Sequence, residues 1–182
     1  MLEVALLIAY GVKSFTKSFY HLSLEYDLLI NNKNYFFFKN FSIVLFFLYT
    51  LTLFFIGYKK KVKEINKLSN QFELYFLAGS SIYIGTFIIG SNFDYRLIFL
   101  IFTIPYILNL DNKNLKFLVI VSYSISINSF IFQSYIFPSE IVSWTYYIKS
   151  IIVFACKFLI LTVFSFLLGT YFKKINFFKF RK

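Results

Sequence analysis

The stretch GSNFDYRLIF (90–99) sets Asp94 and Arg96 two residues apart at the seam between two apolar blocks. Arginine occurs only there and at Arg181; every other fixed cation is a lysine. A guanidinium stays protonated and offers a planar fork of donors that matches a phosphate. Asp94 can orient that fork or take part in proton transfer. With Tyr95 and Asn92 these residues make a polar corner suited to the phosphate of a lipid head. The same residues also suit an Asp–Arg pair closing a tight interhelical turn.

A second constellation is Ser122, Ser126, Ser129 and Gln133, spaced four, three and four apart. That spacing draws one polar stripe on a helix, which should face protein or a watery cavity rather than lipid. Lys157 lies inside another apolar run, eight residues after Lys149 and so ~12 Å further along a helix. An ionisable group at such depth lines a path, pairs with an outer carboxylate (Asp94 or Glu140), or snorkels toward the headgroups. Metal and redox chemistry find no support. Cys156 and His21 each stand alone, without metal-ligand spacing, and no cofactor-binding glycine motif is present.

What must position these residues follows from composition. The chain is 59% hydrophobic and only 15% charged, against about 25% charged in soluble domains. Lipid must therefore solvate much of its surface. The net charge of +11 does not indicate nucleic acid, because the lysines gather at the ends of apolar blocks, as topology signals do. An all-α, polytopic helical bundle is expected, with spans near 41–58, 74–89, 92–112, 115–137 and 148–172. The bundle occupies 35–172, and 173–182 forms a basic tail. Within 1–34, Lys13, Lys17 and His21 share one helical face, as in an amphipathic helix lying at the interface. The run Leu2–Val12 reads equally as the remnant of a preceding span or outer loop. NNKN (31–34) reads as a loop.

The third span is the hardest to place. Leu97–Leu108 is short and contains Pro105, and twelve α-helical residues rise only ~18 Å. It crosses if it extends from 92 to 112; otherwise it pairs with the second block as a re-entrant hairpin. Charge supports the alternation of a full span. Twelve Lys and Arg follow spans one, three and five, against Arg96 and Lys149 in the opposite loops. By the positive-inside rule the C-terminus is cytoplasmic and the 94–96 corner outside. Ala78, Ser81 and Gly85, with Gly79 adjacent, form a small-residue stripe expected to pack against a neighbouring helix.

The segment GSSIYIGTFIIGSNFDYRLIFLIFTIPYIL (79–108) combines a small-residue-rich helix, an aromatic-Asp-Tyr-Arg turn and a short Pro-containing helix. In these features it resembles the C-terminal membrane region of GT-C-type polytopic glycosyltransferases. That resemblance implies sugar transfer from a polyprenyl-phosphate-linked donor at the outer face, in cell-envelope glycan assembly, with Arg96 on the donor phosphate. Such enzymes carry a catalytic carboxylate in the first outer loop and roughly twice as many spans. Nothing in this chain clearly corresponds to that carboxylate, so the resemblance implies the C-terminal portion of such a protein, a split subunit or a degenerate relative, with an upstream partner chain or missing N-terminal half. The catalytic residues themselves are not legible. A non-enzymatic membrane subunit, or a lipid or solute carrier lined by Lys157 and the serine stripe, is the other expectation.

Overall fold

A computed structural model describes residues 32–59, 70–89, 94–128 and 144–179. Five α-helices and one 3₁₀ helix fill them: α1 (Asn32–Lys59), α2 (Asn70–Ile89), the 3₁₀ helix (Asp94–Thr103), α3 (Ile104–Leu108), α4 (Lys113–Ile127) and α5 (Trp144–Lys179). No β-strand occurs among the described residues, and the expected helical bundle is what forms.

Among the described residues, three helices are long and apolar enough to cross a membrane: Phe36–Lys59, Gln71–Ile89 and Ile151–Phe172. They match the first, second and fifth expected spans to within a few residues at each end. Large apolar side chains such as Phe37, Val44, Phe55, Ile89, Phe117 and Ile151 face outward, the arrangement of a bundle whose solvent is hydrocarbon. Helix α1 starts at Asn32, so residues 32–34 are helical rather than loop. The expected interfacial helix lies, up to residue 31, outside the described residues.

Helix directions follow from which rings meet. Phe46 meets Phe158 at 5.7 Å and Phe54 meets Phe172 at 5.5 Å, so α1 and α5 run parallel. Phe87 meets Phe154 at 6.2 Å while Phe76 meets Phe164 at 5.5 Å, so α2 is antiparallel to α5. The 3₁₀ helix runs back along α2: Gly79 lies against Phe99, Phe102 and Thr103, and Phe76 stacks on Tyr106 at 4.0 Å. Helix α4 then folds back on the 3₁₀ helix, placing Tyr123 opposite Thr103 at 2.5 Å. Thr103 donates to the Leu100 carbonyl at 2.6 Å, so the Tyr123 hydroxyl supplies the proton between them. These are the directions that alternating spans require. Helices α1, α3 and α5 end on one side, where the lysine-bearing segments attach.

The third block resolves its length problem through geometry. A 3₁₀ helix rises ~2.0 Å per residue rather than ~1.5 Å. Ten residues of 3₁₀ followed by five of α-helix therefore advance ~28 Å, close to the ~30 Å hydrocarbon layer. Pro105 sits in the first turn of α3 and has no N–H, so the Ile101 carbonyl has no i+4 donor. The break between the two helix types falls there. Asn109 and Leu110 close α3 by donating to the Tyr106 and Ile107 carbonyls at 3.2 and 3.1 Å. Asn112 then caps α4 by accepting from the Leu115 N–H at 3.1 Å.

One packing expectation is corrected. Ala78 and Ser81 are exposed, and a Cβ at Gly85 would meet nothing within 4 Å, so this stripe faces outward. The small residue that admits a neighbour is Gly79, where a Cβ would stand 2.7 Å from the Phe99 carbonyl oxygen. The buried face of α2 is instead the row Glu73, Phe76, Ser80, Tyr83 and Phe87. The large rings of that row meet α3 and α5, while Gly79 is the residue set against the 3₁₀ helix.

Candidate functional site

The two constellations lie in the same half of the bundle. Asp94, Tyr95 and Arg96 form the first turn of the 3₁₀ helix and are described by backbone alone. Asn92 lies outside the described residues. This turn follows the C-terminal end of α2 by four residues, on the side away from the ends of α1, α3 and α5. Contacts through Gly79 and the Phe76–Tyr106 stack hold the helices on either side of the corner together. The segment 79–108 is thus one antiparallel pair with the acid–base corner at its tip.

Below that tip lies a polar layer. Tyr83 sits six residues before the end of α2, ~9 Å down its axis. Its hydroxyl donates to the Lys157 backbone carbonyl at 2.8 Å. Lys157 itself is only 1% exposed, inside the bundle rather than on its lipid face. Ser122 and Ser126 are buried on α4 beside Val119 and Tyr123. Ser122 donates to the Leu118 carbonyl at 2.8 Å and its hydroxyl also meets the Cys156 thiol. The serine stripe therefore faces α5 at the level where Cys156 and Lys157 emerge. Ser129 and Gln133, its continuation, lie outside the described residues. Asn128 ends α4, its backbone and side-chain amides both donating to the Ser124 carbonyl, at 3.1 and 2.8 Å.

No family model, curated relative or solved structure matches the chain.

This half of the molecule gathers the buried side chains of Tyr83, Ser122, Ser126 and Lys157 in one polar layer. The hydroxyl protons of Ser122 and Tyr83 are engaged by the Leu118 and Lys157 carbonyls.

The sequence reading missed a further polar group at the opposite end of α2. Glu73 is buried, as are Tyr106 on α3 and Tyr171 on α5. The signal was present in the spacing. Residues 73, 76, 80, 83 and 87 repeat at three and four, placing one glutamate on the same face as four residues of the core.

Proposed function

We propose that this chain is the C-terminal part of a membrane glycosyltransferase of the GT-C type, using a lipid-phosphate-linked sugar in envelope glycan assembly. The observation that carries this reading is the 79–108 pair, whose sequence resembles that region of such enzymes and whose tip presents Asp94 and Arg96. In this reading the tip sits at the outer headgroups of a bacterial inner membrane and the C-terminus is cytoplasmic. The lysine asymmetry supports that orientation. Arg96 holds the donor phosphate, Asp94 and Tyr95 orient it with Asn92, and the Ser122–Ser126 face with Lys157 borders the cavity beneath. The catalytic carboxylate comes from an upstream segment or partner chain.

The burial of Lys157 inside the bundle favours a second reading, a carrier for a lipid or anionic solute. One experiment separates the two. Binding of a short-chain polyprenyl phosphate is measured on the purified protein in micelles, for the wild type and Arg96→Lys. Lysine keeps the charge and loses the fork. The glycosyltransferase reading expects affinity to fall roughly tenfold or more while the thermal midpoint stays unchanged. Undiminished binding removes Arg96 from the phosphate site. The carrier reading then stands if proteoliposomes still move solute.

A further inference from the structure

Three helices carry lysines to one level, at the end of the bundle opposite the 94–96 corner. A Cβ on Gly169 would come within 2.8 Å of the Tyr58 nitrogen, and the Tyr49 and Thr162 hydroxyls meet at 3.1 Å. This parallel register sets Lys59, the last residue of α1, beside the end of the α5 span, with Lys173 about one turn further along. Helix α4 runs the other way, and its Tyr123 meets Phe164 at 6.1 Å. Ten residues back from Tyr123 is Lys113, and ten on from Phe164 is Lys174. Lys113 begins α4 and is exposed, with Lys116 half-buried one turn later. Helix α5 does not stop where its apolar residues do. The span closes at Phe172, yet the helix continues to Lys179, ~10 Å of further backbone that reaches into the headgroup layer.

We propose that this end of the bundle binds the anionic headgroups of phospholipids in the adjacent leaflet, through Lys59, Lys113, Lys116, Lys173 and Lys174. The order of residues favours a lipid over a soluble anion. Each lysine group adjoins an exposed aromatic ring: Tyr58 beside Lys59, Phe117 beside Lys116 and Phe172 beside Lys173. In all three helices the ring comes before the lysine on the way out of the membrane. A phospholipid presents its acyl chains and glycerol at the level of such rings, and its phosphate where an extended ammonium ends. Charge is one-sided here as well. The segments that join the helices at this end hold twelve Lys and Arg against Glu64, Glu73 and Asp111, whereas the opposite loops set Arg96 and Lys149 against Asp94 and Glu140. Orientation alone requires only lysines in the connecting loops. Lys113 and Lys116 instead stand in the first turn of α4, which has no acidic residue and where the helix dipole opposes a cation. An anionic headgroup offsets that repulsion. Because the 94–96 corner lies at the other end, this binding is independent of the donor phosphate proposed there.

The test titrates phosphatidylglycerol or phosphatidylcholine into the purified full chain in dodecyl maltoside micelles and follows the thermal midpoint. A ligand that binds only the folded state raises it. Phosphatidylglycerol should raise the midpoint by several degrees at low salt and by much less at high salt, and phosphatidylcholine should not raise it. Lys113→Gln with Lys116→Gln should weaken the apparent affinity roughly tenfold or more, since each lysine near a charged surface contributes about a fivefold gain. Should that pair fail to fold, Lys173→Gln with Lys174→Gln gives the same reading. Lys39→Gln with Lys149→Gln removes equal charge from the opposite end and should leave the affinity within about twofold. Equal shifts from the two lipids overturn the proposal, as does equal weakening by the pairs at the two ends. Competition by soluble glycerol phosphate or polyglutamate as strong as that of the lipid overturns it too, and assigns this end to a soluble anion.

Discussion

Gly169→Ala is expected to separate α1 from α5. A Cβ at Gly169 would fall onto the Phe54 carbonyl oxygen and come within 2.8 Å of the Tyr58 nitrogen. Both are backbone atoms, so no flexible side chain can move aside. Gly57 makes the reciprocal contact, its Cβ position coinciding with the Phe166 carbonyl oxygen. The two glycines let the parallel helices touch backbone to backbone. In lipid this closeness matters more than apolar area, because hydrocarbon solvates Phe and Leu as well as protein does. Overpacking a fitted contact costs roughly 1–3 kcal/mol, and here the loss spreads. Only 17% of the membrane-spanning window of α1 is buried, against 44% for α5, so α1 has little else to hold it. The matched control is Gly85→Ala, whose Cβ meets nothing within 4 Å and which gains about 0.5–1 kcal/mol of helix propensity. Unfolding in mixed micelles and the distance between spin labels at Leu45 and Ile151 report the outcome. Gly169→Ala should lower stability and widen the distance, and Gly85→Ala should do neither. Equal behaviour of the two would contradict the close α1–α5 contact.

Phe164→Ala should be the most damaging truncation in the core. Its ring is fully buried and meets Phe76, Tyr83 and Tyr123 edge-on at 5.5, 5.6 and 6.1 Å, so it joins α2, α4 and α5. In a soluble core Phe→Ala costs about 3–5 kcal/mol, part of it the transfer of the ring out of water. That part is absent here, because the separated helix keeps Phe164 in an apolar medium. The packing and cavity share remains, about 2–3 kcal/mol. Phe164→Leu should fall between the two. Detergent-induced unfolding monitored by near-ultraviolet circular dichroism measures the loss. A cost of less than about half a kcal/mol would mean that the ring faces lipid.

How much of this was legible in the residues depends on scale. The three spanning helices could be read from the sequence because a twenty-residue apolar run has few alternatives in water. The 3₁₀ conformation of 94–103 could not, since apolar residues before a proline suit either helix type and packing against Gly79 decides between them. The outward face of Ala78, Ser81 and Gly85 was misread for a related reason. Small size permits contact, but only the partner's shape says which small residue is used. Ser122 and Ser126 point inward, as a hydroxyl stripe must when lipid is the alternative. Lys157 was legible as buried in an apolar run, but its depth inside the protein was not, because snorkelling and burial share one sequence pattern. Glu73 was passed over because it lies near a helix start, where an exposed acid is the ordinary case.

Everything said of function turns on which side of the membrane the Asp94–Arg96 corner faces. In a Cys156→Ser background, single cysteines placed at Asp94 and at Lys61 are treated in intact cells with a membrane-impermeant thiol reagent. The account predicts rapid labelling at position 94, and labelling at 61 only after the cells are opened. Labelling at 61 in intact cells, with 94 protected, would invert the bundle and leave Arg96 without an outward-facing phosphate to hold.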